Sequence, residues 1–196
     1  MDNNASVHSV ASPQARFLPA VCLAGKNDRY ILSNGVEIPC LGYGTYMVPN
    51  NKVGEDALRG AVEMGFRHID TATSYHNEDM VGRVIAESGI PRGEFFITSK
   101  LNNPDQGYES TLEAFERSLA WLGTDYLDLY IIHRFDYEHP IEETMEALND
   151  LVKAGKVRAL GASASSRSCT AREGFARLAC PTSSSITSRA LPATRA

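Results

Sequence analysis

Cysteine is scarce: Cys22, Cys40, Cys169 and Cys180 are scattered through 196 residues. They form no CxxC and no Cys/His ligand spacing, so neither a disulfide framework nor a zinc site is expected, and the thiols read as reduced. Long apolar runs are missing too, with none near the roughly 18 residues that a membrane span needs. Basic charge is in deficit. A net charge of -5 leaves no basic stripe for phosphate backbones, so nucleic acid is not an expected partner. The opening MDNNASVHSVASPQARFLPAVCLAG lacks a basic start and an uninterrupted apolar stretch, which argues against a secretory signal and for the cytoplasm. HExxH, P-loop and GxSxG patterns are absent.

What is present is a soluble composition, 43% hydrophobic and 22% charged, at the length of one domain. From Tyr30 onward, short β-rich runs alternate with longer segments whose apolar residues recur at helical spacing. Asn34-Gly35 between Tyr30-Ile31-Leu32 and Val36-Glu37-Ile38 predicts a small hairpin. The first core strand is then Cys40 to Thr45, followed by a helix from Asn51 to Met64 with Val53, Ala57, Ala61 and Met64 facing inward. Three further units follow. Strand Phe66 to Thr71 leads to helix Glu78 to Ser88, strand Phe95 to Leu101 to helix Glu109 to Leu122, and strand Tyr126 to His133 to helix Ile141 to Ala154. A fifth strand runs from Lys156 to Ala162. Such units about 30 residues apart, all parallel, fit a (β/α)8 barrel or a doubly wound sheet. Gly42-Tyr43-Gly44 could open a dinucleotide fingerprint, but Met47 stands where a third glycine belongs.

The ends differ from this middle. Residues 1–28 read as an unstructured extension and 29–163 as the α/β domain. Residues 164–196 read as a low-complexity tail, disordered or out of frame: the stretch from Ser163 holds eight serines, five arginines and a single acid, Glu173. A basic recruitment tail is the functional alternative for that segment.

The densest cluster is GFRHIDTATSYHNE, residues 65–78, followed by Val81-Gly82. It puts Asp70 at the carboxyl end of a predicted strand and Tyr75 in the loop beyond, on the face where parallel α/β folds keep their active sites. Lys100 ends the run FFITSK, and His133 ends YLDLYIIH. Singly, each has an ordinary explanation: a helix cap, a half-buried aromatic, a surface charge, a satisfied core histidine. Jointly, four ionisable groups at the same end of three successive strands converge on one mouth, and a lysine after FFIT is costly unless paired.

On these motifs the chain resembles the aldo-keto reductase superfamily. GFRHIDTATSYHNEDMVG is similar to the family's first signature, FFITSKL to its lysine strand and YLDLYIIH to its histidine strand. The stretch HPIEETMEALNDLVKAGKVRALGAS continues the likeness in the form seen in oxidoreductases related to potassium-channel β subunits and in many bacterial reductases. The resemblance, over about Leu32 to Ser163, implies a (β/α)8 TIM barrel that binds NADPH and reduces a small aldehyde or ketone without a metal. It implies Tyr75 as general acid, with the Lys100 ammonium favouring its phenolate. Asp70 would hold Lys100, and His133 would orient the carbonyl. Thr45, Asp70 and Ser163 are implied contacts to the nicotinamide end of the cofactor, although Ala164 follows that serine where the family often has Asn.

A full barrel typically needs about 250 residues, so the expectation is a barrel truncated after about strand five, with its grip on NADPH impaired. The alternative from another class is a non-catalytic half barrel acting as a binding or regulatory protein. Its open edge would favour self-association.

Overall fold

The computed structural model describes residues 25–134, 136 and 138–163. The expected extension up to residue 24 and the expected tail from residue 164 lie outside them, as do Cys22, Cys169 and Cys180; Cys40 is a free thiol.

A hairpin comes first, β1 (Arg29–Ile31) and β2 (Glu37–Pro39), with Tyr30 opposite Ile38. There follow β3 (Gly42–Gly44), α1 (Lys52–Glu63), β4 (His68–Asp70), α2 (Glu78–Glu87) and β5 (Phe96–Leu101). The series continues with α3 (Tyr108–Leu122), β6 (Leu127–Ile132), α4 (Ile141–Lys153) and β7 (Val157–Ala162). Strands β3 to β7 form one parallel sheet in chain order. A doubly wound sheet reverses its order at a switch point, whereas here each strand is added on the same side of the last. That progression decides between the two expected architectures: these are consecutive units of a (β/α)8 barrel.

Local chemistry sets the helix ends. The Asn51 side chain accepts from the N–H groups of Val53 and Gly54 at 3.0 and 3.3 Å, so two otherwise unpaired donors at the start of α1 are satisfied. At the end of α3, Gly123 takes the left-handed conformation at φ 62° and donates its N–H to the Leu119 carbonyl. The inward face of α1 departs from the expected one. Val53 is 70% exposed, Met64 64% exposed and Ala57 also open to solvent, while Gly54, Leu58, Ala61 and Val62 are buried. The helix is turned because Gly54 lies against the Pro49 carbonyl, which draws the stripe through Leu58 onto the sheet.

Pleating divides the strands between two cores. Ile97, Leu101, Tyr130, Ile132 and Leu160 pack with Leu58, Met80, Phe115 and Leu148 of the helices. Phe96, Leu129, Ile131 and Ala159 pack on the other face with Leu32, Val36 and Ile38 of the hairpin. The hairpin is fixed there by the Asn34 side-chain amide, which donates to the Arg158 carbonyl at 2.8 Å. With both faces covered, β5 and β6 are buried at every position, as parallel strands require. Each fully buried Leu or Phe contributes about 1.5–3 kcal/mol. The carboxyl ends of the strands are left for polar groups.

Candidate active site

The sheet's hydrogen-bond ladder runs past the strand ends and fixes the residues there. The N–H of Thr45 donates to the Asp70 carbonyl at 2.9 Å and that of His133 to Leu101 at 3.0 Å, while Ser163 donates to Ile132 at 2.9 Å. Thr45, Asp70, Lys100, His133 and Ser163 therefore leave one edge of the sheet side by side. Tyr75 arrives from a 3-10 turn, Thr73–Tyr75, just beyond β4.

Lys100 is 6% exposed. Its Nζ lies 2.5 Å from Asp70 Oδ1 and 2.8 Å from the Thr71 carbonyl, so the buried ammonium has both a counter-ion and a neutral acceptor. The same Nζ stands 4.9 Å from the centroid of the Tyr75 ring. The Tyr75 ring meets His133 edge to face at 5.7 Å and Tyr46 at 5.1 Å. Asp70, Lys100, Tyr75 and His133 are thus brought together, through ring contacts at Tyr75; its hydroxyl forms no hydrogen bond to the described residues. Burial first, then the Lys100 ammonium and the Arg134 guanidinium, hold the His133 imidazole below its ordinary range, with Asp70 opposing. That shift favours the neutral ring. Its Nδ1 is 3.3 Å from Ser74 Oγ.

Thr45 is buried, and its hydroxyl contacts the Asp70 carbonyl at 3.2 Å and Asn77 Oδ1 at 3.3 Å. Asn77, which the sequence reading quoted without a role, is the keystone of this edge. Its Nδ2 donates to the Thr45 and Val48 carbonyls, both at 2.9 Å, and its Oδ1 also accepts from Thr71 Oγ1 at 3.0 Å. All four hydrogen-bonding positions of the amide are used.

Glu78 was likewise passed over. Its buried carboxylate accepts from Ser99 Oγ at 2.5 Å and Ser118 Oγ at 3.2 Å. Ser118 in turn bonds Thr73 Oγ1 at 3.1 Å, and Thr73 reaches the Lys100 carbonyl at 3.3 Å. Burial raises the Glu78 carboxyl above its usual range, with the two seryl donors, Arg117 and Lys100 acting against it. The available signal was two polar residues directly before the apolar Met80-Val81. Tyr46 was also missed; it is 69% exposed at the mouth.

Among the described residues no helix is long and apolar enough to cross a membrane, and no three His, Cys, Asp or Glu side chains stand close enough to hold a metal ion.

A family model described as the aldo/keto reductase family matches residues 40–173. The glyoxal reductase of Bacillus subtilis is 49% identical over 136 residues, 69% of this chain and 49% of that protein. The morphine 6-dehydrogenase of Pseudomonas putida is 42% identical over 141 residues, 71% of this chain and 47% of that one. Among solved structures, an aldo/keto reductase of Brucella melitensis superposes with a TM-score of 0.66 at 47% identity, covering 69% of this chain and 53% of its own. An aldo-keto reductase of Bombyx mori in complex with NADP superposes with a TM-score of 0.64 at 32% identity, covering 71% and 51%. The chain spans about half the length of the curated relatives it matches.

Proposed function

The chain belongs to the aldo/keto reductase family, and from that premise we propose that it serves the NADPH-dependent reduction of an aldehyde or ketone, with Tyr75 as the proton donor. The observation that carries this reading is the Lys100 ammonium, buried, paired with Asp70 and set against the Tyr75 ring. In the reaction the carbonyl carbon gains a hydride, the oxygen gains the Tyr75 proton, and the product is an alcohol. The negative charge left on Tyr75 is stabilised by the buried ammonium held against its ring. Neutral His133 is suited to donate one hydrogen bond to the carbonyl oxygen and so orient it. The exposed Tyr46 ring beside Tyr75 offers an apolar wall for the body of the substrate.

The strand ends suit the nicotinamide end of the cofactor. A Cβ built at Gly44, which is in register with Asp70, would meet nothing within 4 Å, so a flat ring has room there. Asp70 and Ser163 carry side chains able to hydrogen-bond its carboxamide. The Thr45 hydroxyl is committed to Asn77 and the Asp70 backbone, and its proposed part is to support Asp70. NADPH, when bound, supplies the hydride. The relatives named above act on different compounds, which leaves the substrate class as small carbonyl compounds.

The test is NADPH oxidation by the full chain with a panel of small aldehydes and ketones, glyoxal included, alongside Tyr75→Phe. The variant keeps the ring and loses the transferable proton, so its rate is expected to fall by roughly 10²–10⁴-fold. A Tyr75→Phe rate equal to wild type overturns the proton-donor assignment, and no carbonyl-dependent oxidation overturns the activity.

A further inference from the structure

A neutral imidazole carries one N–H, and the nitrogen that holds it is decided by the bond the other nitrogen makes. His133 can help a carbonyl oxygen only through an N–H aimed at the mouth, so its tautomer matters to the reading above, on which this inference rests. We propose that Ser74 is a positioning residue that donates its hydroxyl proton to His133 Nδ1 and so keeps the ring proton on Nε2, toward the substrate.

The first support is geometric. Ser74 Oγ lies 3.3 Å from His133 Nδ1, and among the described residues that nitrogen is the acceptor within reach of the hydroxyl. If the ring donated to Ser74 instead, the hydroxyl would keep its own proton without an acceptor among them. The second support is the turn that carries Ser74. A 3-10 turn has three residues per revolution, so consecutive side chains point about 120° apart. Thr73 faces the helices, bonded to Ser118 and the Lys100 carbonyl. Tyr75 faces the Lys100 ammonium. Ser74, between them, is left facing His133. The anchoring of Thr73 fixes the rotation of the turn and with it the direction of the seryl hydroxyl.

The third support is charge. The groups around the ring are Lys100, Arg134, Asp70 and the Tyr75 phenol. The two cations oppose a second proton on the imidazole, so a single N–H must be shared between two nitrogens. A donor fixed at Nδ1 settles which of them holds it.

The experiment is a long-range ¹H–¹⁵N correlation spectrum of the ¹⁵N-histidine-labelled full chain at neutral pH, without cofactor or substrate. The His133 ring signals are identified by their loss in His133→Gln. In the wild type the Nε2–H form is expected to exceed its share in a free histidine side chain by roughly five- to tenfold, the effect of one modest hydrogen bond. Ser74→Ala should lower the Nε2–H excess to that of a free histidine side chain, and Ser74→Thr, which keeps the hydroxyl, should restore it. A wild-type ring protonated on Nδ1 overturns the proposal, as does a Ser74→Ala spectrum with the wild-type ratio. Should Ser74→Ala fail to fold, Ser74→Gly, which also lacks the hydroxyl, makes the same comparison. Because no turnover is measured, failure of the carbonyl-reduction reading would show in the NADPH assay while the tautomer ratio stayed as expected.

Discussion

Glu78 shows at the scale of a single residue what a buried carboxylate costs and what it holds. Its folded-state pKa is raised, mainly by burial, so between the unfolded and folded values the native state binds more protons than the unfolded chain. The stability tied to this group is therefore present at acid pH and is lost as pH rises through the carboxyl range. Glu78→Gln removes that titration. In urea unfolding, the variant should gain on the wild type as pH rises above about 4.3, where an ordinary glutamate ionises and the buried one resists ionising; a stability difference that stays constant from there to neutral pH would contradict the assignment. The wider lesson concerns partners. Asp70, Lys100 and His133 could be placed together from the sequence because each stands at the end of a recognisable strand run, and Tyr75 because it lies in the loop just beyond one. Asn77 and Glu78 sit in the same motif, but their meaning depends on Thr45, Ser99 and Ser118, whose distance in sequence hides them. Thr45 was placed correctly at a strand end, and only the contacts show its hydroxyl turned into the fold.

Among the elements, the strands read most clearly and the helix faces least. Continuous runs such as FFITSKL need only be buried on both sides to be strands. The rotation of α1 depends on what it meets: Val53 and Met64 are apolar yet exposed, while Gly54 is buried against the Pro49 carbonyl. Gly82 poses the same problem in α2. A glycine inside a helix ordinarily costs up to about 1 kcal/mol relative to alanine, which would make Gly82→Ala stabilising. In the structure a Cβ there would stand 2.6 Å from the Leu122 carbonyl oxygen and 2.7 Å from that of Trp121. Both are backbone atoms at the end of α3 and cannot rotate away. Overpacking outweighs propensity, and Gly82→Ala is expected to lower stability by about 1–3 kcal/mol. A denaturation midpoint equal to or above the wild type's would show that the two helices separate easily.

For the molecule as a whole, the succession of strands and the end of the sheet where the polar groups gather were readable from the repeating units, whereas the ties across the sheet were not. Asp128 lies in the run LDLYII and reads as one polar residue of a strand. It is fully buried, pairs with Arg92 at 2.9 Å and Arg158 at 2.6 Å, and accepts the Ile97 N–H at 2.9 Å. One carboxylate thereby joins β5, β6, β7 and the turn before β5. Asp128→Ala leaves a buried N–H without an acceptor and two partly exposed guanidinium groups without their counter-ion, and should cost about 1–3 kcal/mol. A thermal midpoint near that of the wild type would show the tie to be redundant. The sequential order of the sheet has a consequence for synthesis. Asp70 and Lys100 are 30 positions apart, and Ser74 and His133 are 59 apart. As the chain leaves the ribosome, the ion pair can close once β5 has emerged beside β4, and the histidine joins when β6 follows. The edge that carries these polar groups can be built in the order in which it is translated, each unit docking on one already made.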